Sequence, residues 1–432
     1  MSDAPIRALT TDRPRPRRSC RGALAATAAL LPLLLATSAC GGPADAATDR
    51  TELTVMTWAP SDTGAADRPG MTTLAQALGV ELNAQGGVAG HKLKVLTCNE
   101  HNTADGAIAC ADQAVKAGAI AVVGSYSQYG EAFMPALEAA GIPYLGGYGL
   151  SVPEFSSPLS YPVAGGMPAL IAGSGRQVIA AGCRTVALIR PDSPAGDTLV
   201  GELAGALSTA NIKPVDIKVQ EKSSDFTAAA RQAIGEDRPE NCLVAAIGPV
   251  PTLNLLDSIR RQSHRNTRVA SVIGSVQQSV VDSTGGDGGP LGGAYATGWY
   301  PPEPSKVWDQ LRATIRGRSA TDSTIDDADP GVQTTWVAYQ VLQQAVQRLA
   351  GQPVNAKALR SVLDSGDPIE TSGATPPLSW GLTNMLASAQ TPRLVNTSVT
   401  FQQVQNGRLG EQQPGFVDVR WVLTGGKPPA GS

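Results

Sequence analysis

Hydroxyl and backbone N–H donors cluster in the segment GSYSQYG at residues 124–130, directly after a short apolar stretch. Ser125 and Ser127 supply two hydroxyls, and the segment opens a predicted helix whose first N–H groups have no partner within the helix. Donors at a helix N-terminus suit an anionic group such as a carboxylate. Ser151 supplies a third hydroxyl after the next predicted strand. The alternative is ordinary helix capping, since serine is a preferred N-cap residue.

Residues suited to catalysis or cofactor binding are sparse elsewhere. The three histidines, His91, His101 and His264, lie in separate predicted surface stretches, and no Ser/His/Asp set emerges. The segment GSGRQV at 173–178 imitates a dinucleotide-binding loop, but it lacks the third glycine and a preceding strand. A net charge of −3 without a basic stripe argues against nucleic-acid binding. The sequence therefore offers no candidate catalytic, cofactor-binding or metal site, and we expect neither an enzyme nor a bound cofactor.

The N-terminus has the pattern of an export signal. Residues 1–39 combine an arginine-rich start with the apolar run GALAATAALLPLLLATSA, which ends in small residues. A membrane anchor is the alternative, but the run is near the minimum spanning length and is broken by Pro32. The segment LATSACGG resembles a bacterial lipobox, which implies a lipid on Cys40. Residues 40–51 form a small polar linker. The sequence thus predicts an exported protein, lipid-anchored at the extracytoplasmic face of the cell membrane.

Four further cysteines remain: Cys98, Cys110, Cys183 and Cys242. An even number in an exported chain predicts disulfides, with three possible pairings. The segment CNEHNTADGAIAC could instead hold a metal, but export favours disulfides. Cys98 and Cys110 are close in sequence. Cys183 and Cys242 each begin a predicted strand, and those strands are neighbours if the strand order is 2-1-3. We therefore favour the pairs Cys98–Cys110 and Cys183–Cys242.

Two series of alternating strands and helices position these residues. In the first, apolar residues from Met71 to Leu82 recur at helical spacing, Gly86 and Gly87 end that helix, and KLKVL begins a strand. A second series begins near residue 186, so the 432-residue chain is expected to form two α/β domains with parallel sheets. Strands predicted at 398–405 and 416–422 and helices at 304–317, 330–350 and 355–365 are expected to complete these domains.

Three motifs in order resemble the type I periplasmic binding proteins, particularly the leucine/isoleucine/valine-binding family: ELNAQGGVAGHKLKV, AGIPYLGGYGLSVPEFSSP and NTSVTFQQVQNGRL. The resemblance spans about residues 52–422. It implies two doubly wound parallel-sheet lobes joined by hinge strands, a Venus flytrap with the ligand in the cleft. The predicted bounds are 52–163 with 295–390 for lobe 1, 164–294 with 391–424 for lobe 2, and 425–432 for a tail.

The resemblance also implies a ligand site at the carboxyl ends of the strands, where α/β sheets bind ligands. Ser127 matches the family's carboxylate-binding serine, and Ser151 stands where the family has a threonine. We expect both hydroxyls to face a wet cleft. Lobe 2 lacks the family's tyrosine, since Ala195 stands there, and no acid for a ligand ammonium follows the strand before Pro249. The predicted contact set is Trp58, Ser125, Tyr126, Ser127, Tyr148, Gly149, Ser151, Asp192 and Pro249.

The function predicted from these features is that of a monomeric solute-binding lipoprotein. It would deliver a small polar ligand, such as an amino acid or amide, to the permease of an ABC importer. A ligand-sensing receptor subunit with the same fold is the alternative within the binding class. A secreted α/β enzyme is the alternative outside it, and would need a nucleophile–base pair or metal cluster that the sequence does not offer.

Overall fold

The computed structural model describes residues 52–63, 67–220, 223–262, 266–272, 275–317 and 324–429. These residues belong to one compact unit, Asp49–Ser432. Several predicted features lie outside the described residues: the signal peptide, the whole linker with Cys40, His264 and the last three residues of the tail. None of the helices in the described ranges combines the length and the apolar character that a membrane crossing requires.

The first sheet has five parallel strands in the order β2-β1-β3-β4-β5. Its strands are β1 Leu53–Trp58, β2 Leu93–Cys98, β3 Ala121–Val123, β4 Tyr144–Leu145 and β5 Ser160–Tyr161. Its helices in this part of the chain are α1 Pro69–Ala84, α2 Ala104–Lys116, α3 Gly130–Ala140 and α4 Pro153–Ser156. Apolar side chains fill both faces of the sheet, as expected where helices cover parallel strands.

The joint between α1 and β2 explains the glycines of the first motif. Gly87 has φ +83°, and a Cβ atom on it would lie 2.1 Å from the His91 carbonyl oxygen. Only glycine fits such a left-handed, close-packed position. Val88 and His91 then pair as an antiparallel bridge, after which β2 begins. The chain therefore reverses within a few residues, as the sequence predicts.

The second sheet joins the other strands in the order β12-β11-β10-β9-β8-β6-β7. Its strands are β6 Thr185–Pro191, β7 Val215–Val219, β8 Asn241–Ala245, β9 Arg268–Val272, β10 Tyr295–Gly298, β11 Ser398–Gln405 and β12 Arg408–Glu411. Its helices are α5 Gly166–Ala180, α6 Pro194–Leu207, α7 Thr227–Ile234, α8 Pro249–Arg261 and α9 Gln278–Ser283. Strands β6 to β10 are parallel. The order β7-β6-β8 is the 2-1-3 order on which the pairing of Cys183 with Cys242 depends, and the first sheet has the same order in β2-β1-β3.

The chain after β10 returns to the first sheet, as predicted, through α10 Asp309–Arg316, α11 Pro330–Gln347 and α12 Ala356–Asp364. Helix α11 is buried along most of its length and packs beside α1. The closest approach is at its start, where a Cβ atom on Gly331 would lie 2.7 Å from the Met71 sulfur. The final third of the chain therefore completes the two lobes.

Three details differ from the sequence-based expectations. The predicted bounds assign residues 295–390 to lobe 1, but strand β10 pairs with β9 and β11 in the second sheet. The chain therefore crosses back to the first sheet only after Gly298. Strands β11 and β12 are antiparallel, which makes this sheet mixed. The strand predicted at 416–422 is only β13 Val417–Asp418 and is followed by α13 Arg420–Leu423. Asp418 ends it, because its carboxylate accepts the Arg420 N–H at 2.8 Å and starts a helical turn.

Both favoured disulfides are confirmed. Cys98 at the end of β2 is bonded to Cys110 in α2, with 5.7 Å between the Cα atoms. Cys183, just before β6, is bonded to Cys242 in β8, with 5.9 Å between the Cα atoms. The second bond follows from the strand order, since β8 lies beside β6 and places the two starts together.

Candidate functional site

The carboxyl ends of β1, β3 and β4 form one edge of the first sheet, and two tyrosines are fixed there. The Tyr126 N–H donates to the Trp58 carbonyl at 3.0 Å, and the Tyr148 N–H donates to the Ser125 carbonyl at 3.0 Å. The two tyrosine rings lie 4.9 Å apart, and Tyr148 also packs edge-to-face on Trp299 at 4.9 Å. We call Tyr126, Tyr148 and Trp299 the aromatic wall.

The aromatic wall adjoins the segments that cross between the two sheets. The indole N–H of Trp299, directly after β10, donates to the Gly166 carbonyl at 2.9 Å. The Met167 N–H donates to the Gly149 carbonyl at 3.2 Å. Gly149 has φ +84°, and a Cβ atom on it would lie 2.8 Å from the Cα atom of Gly166. Gly149 therefore lets the loop after β4 pass close to the segment that leads from β5 into α5, the first of the two segments that cross between the sheets.

The predicted serines are engaged within the protein. Ser127 donates to Glu100 at 2.8 Å and accepts the Tyr129 N–H at 3.1 Å. Ser125 accepts the Trp58 N–H at 3.1 Å. Ser125 and Ser127 are fully buried, and Ser151 is buried as well. The expectation that the hydroxyls of Ser127 and Ser151 face a wet cleft is therefore wrong.

The Ser151 hydroxyl donates to Glu154 Oε1 at 3.0 Å. The same carboxylate accepts the N–H groups of Gly149, Leu150 and Ser151, each at 2.9 Å. Burial raises the pKa of Glu154, while these hydrogen bonds lower it in part. Glu154 thus fixes the loop that carries Tyr148. The spacing S-x-x-E from Ser151 to Glu154 is the sequence signal that could have indicated a carboxylate bonded to this backbone.

Trp58 lies in the core of lobe 1 rather than at the aromatic wall. Its ring is fully buried and packs on Phe133 and Tyr144, with ring centroids 5.2 and 5.8 Å away. Its contacts place it with the α2 and α3 side of the sheet. The sequence could not separate the two positions, because a tryptophan at a strand end serves either a core or a cleft.

Arg68 is the main site residue that the sequence reasoning missed. It ends the loop between β1 and α1, and its half-buried guanidinium lies 5.7 Å from the Tyr126 ring centroid and 5.8 Å from that of Tyr148. Burial alone would lower the pKa of Arg68, but the neighbouring Tyr148, Asp329 and Tyr126 raise it above its ordinary value. The signal was available, because this loop leaves the carboxyl end of β1.

Glu100, also missed, is a fully buried carboxyl behind the same edge. Its Oε2 atom accepts from Ser127, and its Oε1 atom has no hydrogen-bond partner among the described residues. Burial raises the pKa of Glu100 to about 7, although the hydrogen bonds from Ser127 and the Asn102 backbone lower it in part. The predicted carboxylate-binding serine therefore already binds a carboxyl group of the chain itself.

The predicted lobe 2 acid lies in an ion cluster. Asp192 pairs with Lys218 at 3.5 Å, and Lys218 pairs also with Asp197 at 3.2 Å. Buried Arg190 pairs with Asp197 at 2.8 Å and with Asp216 at 2.7 Å. Pro249 is the first residue of α8. Each of the three acids at this end of β6 and β7 is therefore paired with Arg190 or Lys218. Nowhere in the described residues do three or more His, Cys, Asp or Glu side chains form a group that could hold a metal ion.

The two-lobed α/β fold with polar and aromatic groups at the strand ends defines a class of ligand-binding proteins. The family model described as periplasmic binding protein matches residues 60–408. The chain belongs to this family, which confirms the resemblance seen in its motifs. It has no significant match among curated proteins.

Solved structures share the fold at low sequence identity. An ABC-transporter solute-binding protein from Rhodopseudomonas palustris BisB5, in complex with 3,4-dihydroxy benzoic acid, matches with a TM-score of 0.69 at 15% identity, over 86% of this chain and 98% of its own. Another from R. palustris, in complex with benzoate, gives 0.65 at 15% identity over 85% and 98%. A leucine-binding protein from Thermotoga maritima gives 0.65 at 11% identity over 85% and 99%.

Proposed function

We propose that this chain is the extracytoplasmic solute-binding subunit of an ABC importer and that it binds a small polar organic ligand between its lobes. The observation that carries the proposal is the aromatic wall with Arg68 at the carboxyl edge of the first sheet. Ligands of open α/β sheets bind at this edge. The family match over residues 60–408 supports the same role.

The ligands of the similar structures support a small organic acid. Leucine, benzoate and 3,4-dihydroxy benzoic acid, the ligands of those proteins, share a carboxyl group. The residues of the aromatic wall are themselves buried in this structure. Tyr126 and Tyr148 are proposed ligand contacts because their rings flank the half-buried Arg68 guanidinium, and Gly149 is proposed because it follows Tyr148 in the same loop. The serines act in this proposal mainly through the loops they fix, since their hydroxyls are already bonded within the protein.

Binding would act through closure of the two lobes. A ligand shifts the equilibrium between open and closed forms only if it binds the closed form more tightly. The segments that cross between the sheets after β5 and β10 meet where Trp299 bonds to Gly166, and Gly149 of the β4 loop contacts Gly166. Because Trp299 belongs to the aromatic wall, a ligand there would contact these crossing segments, which we propose bend on closure. The closed form is the species that we propose the permease recognises.

The proposal includes a lipid anchor on Cys40, export by residues 1–39, and a monomeric chain. Replacing Cys40 by serine is expected to release the protein into the medium or leave it unprocessed. The fraction of protein in washed membranes measures this. Normal cleavage with continued membrane attachment of the Cys40→Ser protein would contradict the anchor.

Calorimetry against a panel of carboxylates, amino acids, amides, short peptides and sugars tests the function itself. We expect at least one class to bind with a defined stoichiometry of one ligand per chain. Small-angle scattering should then give a smaller radius of gyration at saturation. A panel without any binder, or a bound state with an unchanged radius, would contradict a closing solute-binding protein.

A further inference from the structure

We infer that Arg68 is the anion-binding residue of the cleft and that the ligand is an organic carboxylate with a flat apolar body and no ammonium group. The inference rests on the proposed function, since it concerns the ligand of the same site. Four observations carry it: how Arg68 is held, which of its donors are free, what surrounds its charge, and where the nearest carboxylates are engaged.

The backbone of Arg68 is fixed at the edge of the sheet. Its N–H donates to the Pro60 carbonyl at 2.8 Å, and Pro69 follows as the first residue of α1. The two tyrosine rings confine the side chain, and their own backbones are bonded to the ends of β1 and β3. The guanidinium is therefore positioned before a ligand arrives, which reduces the entropy lost on binding.

The guanidinium has donors to spare. It has five N–H donors in a planar fork that matches a carboxylate. Nη1 donates to the Asp67 carbonyl at 3.0 Å, and the guanidinium also lies within hydrogen-bonding reach of the Tyr148 hydroxyl. Nε is buried without a hydrogen-bond partner in the described part of the chain. Buried donors without partners are rare in folded proteins because they are costly. A ligand carboxylate would supply acceptors for this fork.

Among the described residues, the positive charge of Arg68 has no direct counter-ion. Within the described ranges, no ion pair includes Arg68. Asp329 is the nearest acid that influences it, and Asp329 Oδ1 accepts the N–H groups of Gly331 and Val332 at the start of α11. Asp329 therefore caps a helix and leaves the guanidinium fork open to an incoming anion.

The body of the ligand is indicated by the aromatic wall. Tyr126 and Tyr148 are inclined by 59°, and Trp299 is nearly perpendicular to Tyr148 at 83°. Aromatic groups favour such tilted and edge-to-face contacts with further rings. A planar apolar body beside a carboxylate would satisfy the wall and Arg68 together.

The acids described near these strand ends are engaged within the chain, and Asp329, the acid that acts on Arg68, caps α11. Asp192 and Asp197 are paired with Lys218 and Arg190. Glu100 is fully buried behind Ser127. An amino acid would therefore bring a charge that the site does not neutralise, and desolvating an unpaired ion is unfavourable.

Calorimetry on the full-length chain in mild detergent tests the inference with benzoate, benzamide, phenylalanine and leucine. We expect benzoate to bind at least tenfold more tightly than benzamide, which has the same shape without the charge, and than either amino acid. Arg68→Gln should weaken benzoate at least tenfold without changing benzamide, and Arg68→Lys should lie between. Arg176→Gln is the matched control, because Arg176 stacks on Trp421 at 5.3 Å away from the aromatic wall.

Equal affinity for benzoate and benzamide, or undiminished benzoate binding by a folded Arg68→Gln protein, would overturn the inference. Tighter binding of phenylalanine or leucine than of benzoate would overturn it too, while leaving the solute-binding function intact. Absence of binding to every compound of the wider panel would overturn the function as well. Ligand-free thermal melts establish that the variants are folded, and the benzoate–benzamide comparison on the unmodified chain needs no variant.

Discussion

The Ser127 hydroxyl donates a 2.8 Å hydrogen bond to the buried carboxyl group of Glu100, at the edge where a ligand carboxylate was expected. The pair joins the loop after β3 to the loop after β2. Because Glu100 is buried and only one of its oxygens has a partner among the described residues, its ionisation is unfavourable in the folded protein. Burial of Glu100, which the hydrogen bond from Ser127 offsets only in part, therefore makes the stability of lobe 1 depend on pH.

Replacing Glu100 by Gln should flatten that pH dependence. The pKa of Glu100 is raised to about 7, so its stabilising contribution is complete below the ordinary carboxyl pKa and is lost as the pH rises through about 7. A shift of this size corresponds to at most about 3 kcal/mol. At pH 8 the variant should be the more stable protein, and between pH 5 and 7 its free energy of unfolding should fall less.

Urea titrations at several pH values measure this effect. Glu131→Gln, an exposed position in α3, is the control and should keep the slope of the unmodified chain. A slope unchanged by Glu100→Gln would mean that Glu100 ionises normally in the folded state.

Glu154→Ala should destabilise the protein and weaken ligand binding together. The substitution leaves the N–H groups of Gly149, Leu150 and Ser151 without their acceptor. Each buried donor without a partner costs about 1–3 kcal/mol, and part of this is relieved by water entering the loop. We expect a loss of about 2–4 kcal/mol, measured by urea unfolding. A loss below that of the exposed control Glu131→Ala would show that the loop is held by other contacts.

The two disulfides should contribute unequally. The Cys183–Cys242 bond closes a sequence separation of 59 residues and the Cys98–Cys110 bond one of 12. The chain-entropy relation gives about 4 and about 3 kcal/mol, respectively. Paired alanine substitutions and guanidinium unfolding compare them, and non-reducing peptide mapping identifies the bonds. A larger loss for the shorter loop would indicate that native-state packing, rather than loop closure, dominates.

The sequence was sufficient for most of the fold because helices and strands carry periodic apolar patterns over many residues. Strand β11 at 398–405 and the disulfide between Cys183 and Cys242 agree with prediction for this reason. The strand at 416–422 was predicted wrongly. There the Asp418 carboxylate accepts the Arg420 N–H and starts a helical turn, and the apolar periodicity of the segment does not indicate this contact.

The candidate site was less predictable, because a strand end fixes where a residue lies but not what its side chain contacts. Tyr126 and Tyr148 were placed correctly at the edge of the sheet. Ser127 was expected to be free, but its partner Glu100 comes from another loop. For the same reason the predicted contact set included Trp58, which packs into the core, and missed Arg68, which reaches the tyrosine rings.

Gly149→Ala should impair both folding and closure, and Gly118→Ala provides its matched control. Both glycines have positive φ, +84° and +63°, so both substitutions carry the backbone penalty of about 1–2 kcal/mol for an L residue. At Gly118 a Cβ atom meets nothing within 4 Å. At Gly149 it would meet Gly166 and Phe155 at 2.8 Å, so the β4 loop must move away from the crossing segment.

The difference between the two losses in urea unfolding isolates that contact, and we expect Gly149→Ala to lose at least about 1 kcal/mol more. Because the displaced loop carries Tyr148, ligand affinity should fall for Gly149→Ala only. Equal losses of stability and equal affinities in the two variants would mean that the close approach of Gly149 to Gly166 is not required for the site.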